Sequence, residues 1–385
     1  MEAVRVGIIG VGGMGGGHAR SILRGEVPGM ELSAVADIDP AKSAWLEEAA
    51  PRIPRFEDAE AMMKSGAVEA VIVATPHYFH PVYVSMALKL GLHALSEKPA
   101  GVYTKAVREV NELASKTDRV YAIMFNQRTN CVYRKMKEIV DSGELGRMRR
   151  SVWLITNWYR PQSYYDSGAW RATWAGEGGG VLLNQCPHNL DLWQWICGMP
   201  TKVRAFIHHG KWHDIEVEDD VTAYVEYAGG ATGAFITSTG DMPGTNRFEI
   251  ILDGGKLVTD GQTLTMSKLE IPEPEFSRTY KGGFGEPKYT TAEVETDGFN
   301  PQHKEVLRRF AANIRGLEPL VAPGAEGIRG LTLSNAMHLS GWLDRTVELP
   351  LDEDLFLAEL DRRRAVSRHK EGASRSLDTA GTYNA

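Results

Sequence analysis

A turn of glycines set between a strand and a helix constrains this chain more than any other feature. Residues 4–9 are short, apolar and rich in β-branched side chains, which predicts a buried strand. Gly10-Val11-Gly12-Gly13-Met14-Gly15 follows, a GxGxxG run that opens a predicted helix over 14–23. Each glycine has a physical job in that setting. Gly10 makes the tight turn, Gly12 lets the backbone approach a pyrophosphate, and Gly15 lets the helix close on the strand. The start of the helix then offers free N–H groups and a partial positive charge to the phosphates. The turn therefore predicts dinucleotide binding, with Gly10, Gly12, Gly13, Met14 and Gly15 as contacts. A second strand over 32–36 ends at Asp37, 22 residues after Gly15. A carboxylate there takes the adenosine ribose hydroxyls and repels a 2′-phosphate. Ile38 follows it rather than an arginine, so NAD is favoured over NADP. The competing reading makes Asp37 a turn cap, with Asp39 as the ribose ligand or neither.

The pattern continues as an alternation of strand and helix. Helical segments are predicted over 40–48, 83–90 and 103–115, with strands over 68–74, 93–96 and 120–125. That order implies a parallel sheet with helices on both faces. The third delivery point to a ligand crevice is Thr75-Pro76-His77. His77 and His80 either line the nicotinamide side or sit in a polar loop over the cofactor.

Beyond residue 127 the rhythm changes. Strands are predicted over 149–156, 202–208, 221–227, 232–239, 247–252 and 256–259, with few helices between them. Helices are predicted over 130–140, 181–196, 301–314 and 326–345, and an irregular excursion over 267–300. The fold class is thus an α/β Rossmann domain (1–127) followed by an α+β domain (128–365) with an open, mostly antiparallel sheet. A polar stretch, 366–385, is expected to be a mobile tail.

Composition excludes several classes of partner. The formal charge is −7, with no basic excess of the kind a nucleic-acid binder shows. Three cysteines at wide spacing argue against a disulfide framework or a zinc site, and no metal is expected. No apolar run approaches the ~20 residues that cross a bilayer. The first apolar stretch runs straight into glycines, unlike a secretion signal, so a cytoplasmic location is expected.

Two further segments carry a family resemblance. Glu97-Lys98-Pro99 follows a predicted strand, and Gly178-Gly179-Gly180-Val181-Leu182-Leu183-Asn184-Gln185-Cys186-Pro187-His188-Asn189-Leu190-Asp191 opens a predicted helix in the second domain. With the N-terminal turn, over about residues 3–345, the chain resembles the glucose–fructose oxidoreductase, inositol dehydrogenase and rhizopine catabolism family, Gfo/Idh/MocA. The resemblance implies a carbohydrate or polyol substrate at the domain boundary and a homodimer or homotetramer. It implies that Lys98 hydrogen-bonds the reacting hydroxyl and that His188 accepts or relays its proton. Where the inositol dehydrogenases carry Asp, this chain has Asn184.

Elementary chemistry agrees with those roles. Oxidising an alcohol removes a hydride and a proton from one centre; a histidine can take the proton, and an ammonium can stabilise the alkoxide as it forms. Asn184 and His188 are four apart, so on one helix they share a face. Asn184 is expected to position a hydroxyl or His188, and Asp191 to be structural. Glu97 and Asn126 are candidate cofactor contacts, and Arg128 is a candidate for nicotinamide or substrate. The stretch 153–174 holds Tyr159, Arg160, Trp170 and Arg171 among further aromatics. Aromatic faces stack on sugar rings, and Arg160 or Arg171 would suit an acidic group; half of the aromatics are equally expected in packing. The leading expectation is an NAD-dependent dehydrogenase of a ring hydroxyl in a sugar, glycoside or cyclitol. The alternative is a redox glycosidase that oxidises, eliminates and re-reduces, including on acidic glycosides such as sulfoquinovosides. A catalytically silent NAD sensor ranks third.

Overall fold

The computed structural model describes residues 2–368 and Lys370. Most of the stretch expected to be a mobile tail lies outside the described residues. Six strands form the first sheet: β1 (Val4–Ile9), β2 (Met30–Ala36), β3 (Arg55–Phe56), β4 (Ala70–Val73), β5 (His93–Ser96) and β6 (Tyr121–Ile123). All pairings are parallel, in the order β3-β2-β1-β4-β5-β6. β4 is buried at every position, which is why its sequence is an unbroken apolar run.

Two layers cover this sheet. On one face Ala19 and Ile22 of the helix Gly13–Leu23 pack with Val6, Ile8 and Ile72. The helix Gln302–Ile314 returns from far along the chain and adds Val306, Leu307 and Phe310 to the same cluster. On the other face Met62, Val84 and Leu88 pack with Ile9, Val71 and Val73. Strand order reverses between β1 and β4, so a crevice opens at their C-terminal ends. Gly10 and Thr75 stand there.

The second sheet has nine strands: β7 (Met148–Ile155), β8 (Lys202–His209), β9 (Glu218–Glu226), β10 (Thr232–Ser238), β11 (Asn246–Leu252), β12 (Gly255–Thr259), β13 (Leu264–Leu269), β14 (Tyr289–Glu293) and β15 (Val347–Glu348). Their order is β14-β13-β12-β11-β7-β10-β9-β8-β15, and only β7 with β10 is parallel. One face is closed by the helices Pro187–Cys197 and Gly327–Leu343, whose Leu190, Trp193, Leu331 and Met337 join Val203, Val225 and Phe235 in one core. Trp153 lies in it fully buried, stacked 4.2 Å from Phe248. Truncating such a side chain costs about 3–5 kcal/mol. The opposite face shows Phe206 and Tyr224 to solvent. No helix among the described residues is long and apolar enough to cross a membrane.

Three expectations are corrected. The segment expected to be one helix over 181–196 is a π-turn, Val181–Gln185, and then an α-helix, Pro187–Cys197. Pro187 has no N–H to continue the ladder, so it starts a new helix at its own position. The stretch 267–300 holds the end of β13, the helix Glu273–Thr279 and β14. β14 is exposed at every residue and is held by backbone pairing and a Ser267–Thr291 hydroxyl contact at 2.9 Å, so no apolar alternation marks it. The segment expected as one helix over 40–48 splits into a 3-10 turn, Pro40–Ser43, and a short helix, Leu46–Ala49. The helices Ala59–Lys64 and Glu353–Ala365 were not anticipated.

Candidate active site at the domain junction

The glycine turn is shaped for close approach by a ligand. Gly10 has φ +86°, and a Cβ there would lie 2.6 Å from the Ala74 carbonyl oxygen. A Cβ on Gly15 would lie 1.9 Å from the Gly10 carbonyl oxygen. Gly12 differs: nothing lies within 4 Å of its Cβ position, and it caps the helix with no side-chain hydrogen bond. Gly13 is exposed beside it, and Met14 is half-buried. Open backbone and an uncapped helix start fit a pyrophosphate.

Asp37 closes the far end of that turn. One carboxylate oxygen accepts from Val11 N at 2.7 Å and the other from Asp39 N at 3.0 Å. Asp39 is itself used as a cap, accepting from Ala41 N at 3.0 Å. Ile38 is 86% exposed, so the neighbouring side chain offers no cation.

The loop after β4 is pinned to the loop after β5. His80 sits between two carbonyl oxygens, with Nδ1 2.7 Å from Pro99 O and Nε2 2.7 Å from Thr75 O. His77 Nδ1 lies 3.2 Å from Glu177 O, and its ring meets Trp170 edge-on at 5.8 Å. Burial, with the His80 and Lys98 charges, pulls the pKa of His77 well below the histidine range. Thr75 Oγ1 is buried without a hydrogen-bond partner among the described residues, and Pro76 is half-buried beside it. Asn126 donates to Gln302 Oε1 at 2.5 Å, and its own Oδ1 has no hydrogen-bond partner among the described residues.

Glu97 and Lys98 follow β5 and make separate contacts. Glu97 Oε1 meets His18 Nε2 at 2.7 Å, and Oε2 accepts from Lys98 N at 3.1 Å. Burial alone would raise the carboxyl pKa; the His18 hydrogen bond, with charge from His18, His303 and Lys98, holds it at about 2. Lys98 Nζ donates to the Asn184 carbonyl oxygen at 3.1 Å. Burial lowers the pKa of that ammonium; Glu97 and Glu177 push it back up, and Arg160 and Arg171 push it down.

His188 lies in the first turn of the helix Pro187–Cys197, one turn beyond Asn184. Its Nδ1 is buried with no hydrogen-bond partner among the described residues, and its ring meets Phe125 edge-on at 6.2 Å. Burial, then the Lys98 and His303 charges, hold its pKa well below the histidine range, with Glu97 opposing. It is therefore neutral at pH 7.

The π-turn that presents Asn184 is anchored by a buried carboxylate. Glu218 accepts from Gly180 N at 2.9 Å and from Leu182 N at 3.0 Å, with His338 Nε2 3.0 Å away. A Cβ on Gly180 would lie 2.0 Å from Glu218 O, so only glycine fits there. The Asn184 amide donates to Glu177, and its oxygen accepts from Tyr164 OH at 3.4 Å. Because the turn is not α-helical, the shared face expected from the four-residue spacing is not what links Asn184 to His188. Lys98 bonds the Asn184 carbonyl, and its charge also reaches His188.

Glu177, Glu218 and His18 were not anticipated, while Tyr164 belongs to the aromatic cluster expected over 153–174. Glu177 is buried, accepts from Ala172 N at 2.6 Å and lies 3.6 Å from Arg171. Desolvation raises its pKa, with Arg171 and two hydrogen bonds pulling it down. Its position just before Gly178-Gly179-Gly180 was the available signal.

The structure gives the remaining candidates different surroundings. Arg171 donates to Tyr164 OH at 2.7 Å and lies over the rings of Tyr164 and Trp170. Arg160 lies over Trp158 and Tyr164 and donates to the Tyr159 carbonyl at 2.8 Å, while Tyr159 itself is 43% exposed. Arg128 stands apart. It is buried, bidentate on Asp191 at 2.7 and 2.8 Å, and paired with Glu326 at 2.5 Å. Its guanidinium is spent on these two carboxylates, with Asp191 as its buried counter-charge. His213 is held by Asp219 and by the Arg160 carbonyl, and His208 by Asp220.

Comparison with known proteins fits this layout. Residues 4–125 match the oxidoreductase family with an NAD-binding Rossmann fold, and residues 133–258 match the GFO/IDH/MocA C-terminal domain. An inositol 2-dehydrogenase of Corynebacterium glutamicum is 29% identical over 51% of this chain and 55% of its own length. The match thus spans about half of that relative. A myo-inositol 2-dehydrogenase of Thermotoga maritima is 23% identical over 90% of this chain and 98% of its own. Among solved structures, the WlbA dehydrogenase of Chromobacterium violaceum in complex with NADH and UDP-GlcNAcA superposes with a TM-score of 0.78 at 25% identity. That likeness covers 91% of this chain and 97% of the other.

Proposed function

Because the chain belongs to the Gfo/Idh/MocA oxidoreductase family, we propose that it is an NAD-dependent dehydrogenase oxidising a ring hydroxyl of a sugar, glycoside or cyclitol. One observation carries the reading. Lys98 Nζ rests 3.1 Å from the Asn184 carbonyl, one turn before a neutral His188 whose buried Nδ1 has no partner among the described residues.

The residues divide the work by their chemistry. Lys98 holds the reacting hydroxyl and stabilises the oxygen as negative charge builds on it. Its depressed pKa brings its proton affinity nearer to that task. His188 takes the hydroxyl proton, for which it must be neutral, as burial keeps it. Asn184 positions Lys98 through its carbonyl, and its side chain, tied to Glu177, takes no proton. NAD, when bound, supplies the hydride acceptor. The exposed Gly12 backbone, the uncapped helix start and Asp37 beside a bare Ile38 favour NAD over NADP. The solved relative held NADH with a nucleotide-linked sugar acid, which agrees with a carbohydrate substrate. We assign the homodimer or homotetramer contact to the open face of the second sheet, where Phe206 is 57% exposed and Tyr224 44% exposed.

The test is a screen of sugars, cyclitols and glycosides with NAD, and separately NADP, following absorbance at 340 nm and aglycone release together. Stoichiometric NADH with NAD and one substrate class is the expected result. Aglycone release without net NADH would replace the dehydrogenase by a glycosidase that returns its hydride.

A further inference from the structure

The substrate mouth carries more positive charge than its protein neighbours balance. Arg160 and Arg171 both act on the charge of Lys98, as do the carboxylates of Glu97 and Glu177; Glu97 is already engaged by His18, which leaves Glu177 as the carboxylate beside the arginines. This occurs in a chain whose net charge is −7, so the excess is local. Arg171 reaches Glu177 only at 3.6 Å, and its Nε is buried with no hydrogen-bond partner among the described residues. Arg160 makes no ion pair among the described residues; it donates to the Tyr159 carbonyl. Arg128 shows how this protein treats a guanidinium meant for structure, with two carboxylates at 2.5–2.8 Å. A partly desolvated guanidinium without such partners is costly unless a ligand anion completes it.

Both arginines also lie over aromatic rings. The Tyr164 ring lies 4.4 Å from the Arg171 guanidinium carbon and 5.1 Å from that of Arg160. Trp170 supports Arg171 at 4.6 Å, and Trp158 supports Arg160 at 5.7 Å. A guanidinium fixed on an aromatic face has lost its entropy in advance and presents its fork to a planar or tetrahedral oxyanion. The cofactor's phosphates have their own cradle on the glycine turn, so these arginines are not needed for them.

We propose that the substrate carries an anionic group, a carboxylate or a sulfonate on its ring, bound by Arg160 and Arg171 while Lys98 takes the reacting hydroxyl. The inference rests on the dehydrogenase reading only in placing the substrate beside Lys98. It narrows the substrate class from neutral sugars and cyclitols to sugar acids or sulfosugars.

The experiment is calorimetric titration of the NADH-loaded protein with D-glucuronate, D-galacturonate and 6-sulfoquinovose, each against a neutral partner, glucuronamide or the parent hexose. At least one acid should bind about tenfold or more tighter than its neutral partner, equivalent to ~1.4 kcal/mol. Rising salt should erode the difference. The carboxylate and sulfonate arms identify which anion is preferred. Arg160→Gln should abolish the preference while the neutral partner's weak binding changes little. Equal binding of acid and amide, an equal loss of both in Arg160→Gln, or no binding by the whole charged panel would overturn the proposal. Turnover separates this from the dehydrogenase reading. An acid that binds with the expected preference but never reduces NAD would refute the dehydrogenase and leave the anion site standing. A neutral sugar that reduces NAD with no preference for charge would do the reverse.

Discussion

Gly15 belongs to the glycine turn of the first domain and Arg171 to the aromatic loop of the second, and each resists replacement for a different reason. Around Gly15 the contacts are backbone on backbone: a Cβ would lie 1.9 Å from the Gly10 carbonyl oxygen, and no side chain can move aside to admit it. Around Arg171 the contacts are side chains from separate loop positions, with Tyr164, Trp170 and Glu177 supplying a ring, a second ring and a carboxylate. The cofactor side is therefore defined by what is missing, and the substrate side by what is present. The first can be shared by many proteins with different substrates. The second can be rebuilt without disturbing the sheet beneath it.

The largest effect expected from this division is at Lys98, where the two sides meet. Lys98→Ala should lower turnover on the order of 10³-fold, about 4 kcal/mol of barrier, while NADH binding stays nearly intact. Steady-state kinetics and a fluorescence titration with NADH check the two halves separately. Loss of NADH affinity on the same scale would show that Lys98 belongs to the cofactor side, and the division would fail there.

A pair of glycine substitutions tests the cofactor side by itself. Gly15→Ala must push helix from strand, and overpacking of this kind costs roughly 1–3 kcal/mol of stability. Gly12→Ala meets nothing within 4 Å in the protein. Its melting temperature should barely move, yet the added methyl occupies the space a pyrophosphate needs, and NADH affinity should fall about tenfold, ~1.4 kcal/mol. If Gly12→Ala melted early and bound NADH normally, the open turn would be a structural feature and not a cradle.

The same division explains how much could be read from the sequence. The first sheet was legible because burial on both faces leaves an unbroken apolar strand, and because glycine spacing records backbone approach directly. The roles proposed for Lys98 and His188 come from two short contiguous segments. Glu177 and Glu218 were not legible, because a buried carboxylate is defined by the amides it accepts from, and Ala172 N and Gly180 N are contributed by loop geometry. Arg128 and Arg171 look alike in the sequence. One is saturated by Asp191 and Glu326, and the other keeps a buried Nε unpartnered among the described residues; only partners distant in the chain tell them apart. The break at Cys186 was hidden for a related reason. Residues 181–196 keep apolar side chains on several faces because all sides of that segment are buried, so periodicity carried no mark of the π-turn.

The smallest effect is the position of the pH limbs, and it reports on the substrate side without a mutation. His188 must be neutral to accept a proton, so turnover rises as pH climbs through its pKa. Burial and the Lys98 charge hold that pKa well below the ordinary histidine range. The acid limb of kcat should therefore lie below that range, leaving activity flat through neutrality. Lys98 must stay charged to stabilise the oxygen, and burial lowers its pKa. The alkaline limb should begin below the ordinary lysine range. Both limbs are displaced downward because desolvation disfavours the charged form of either base. His188→Asn should erase the acid limb along with most of the rate. An acid limb that survives in this variant would assign the proton to another group, and His77, buried against Glu177 and Trp170, would be the one to examine. An acid limb centred at or above the ordinary histidine value would mean that substrate binding returns charge to the site, as an anionic substrate beside His188 would do by stabilising the imidazolium.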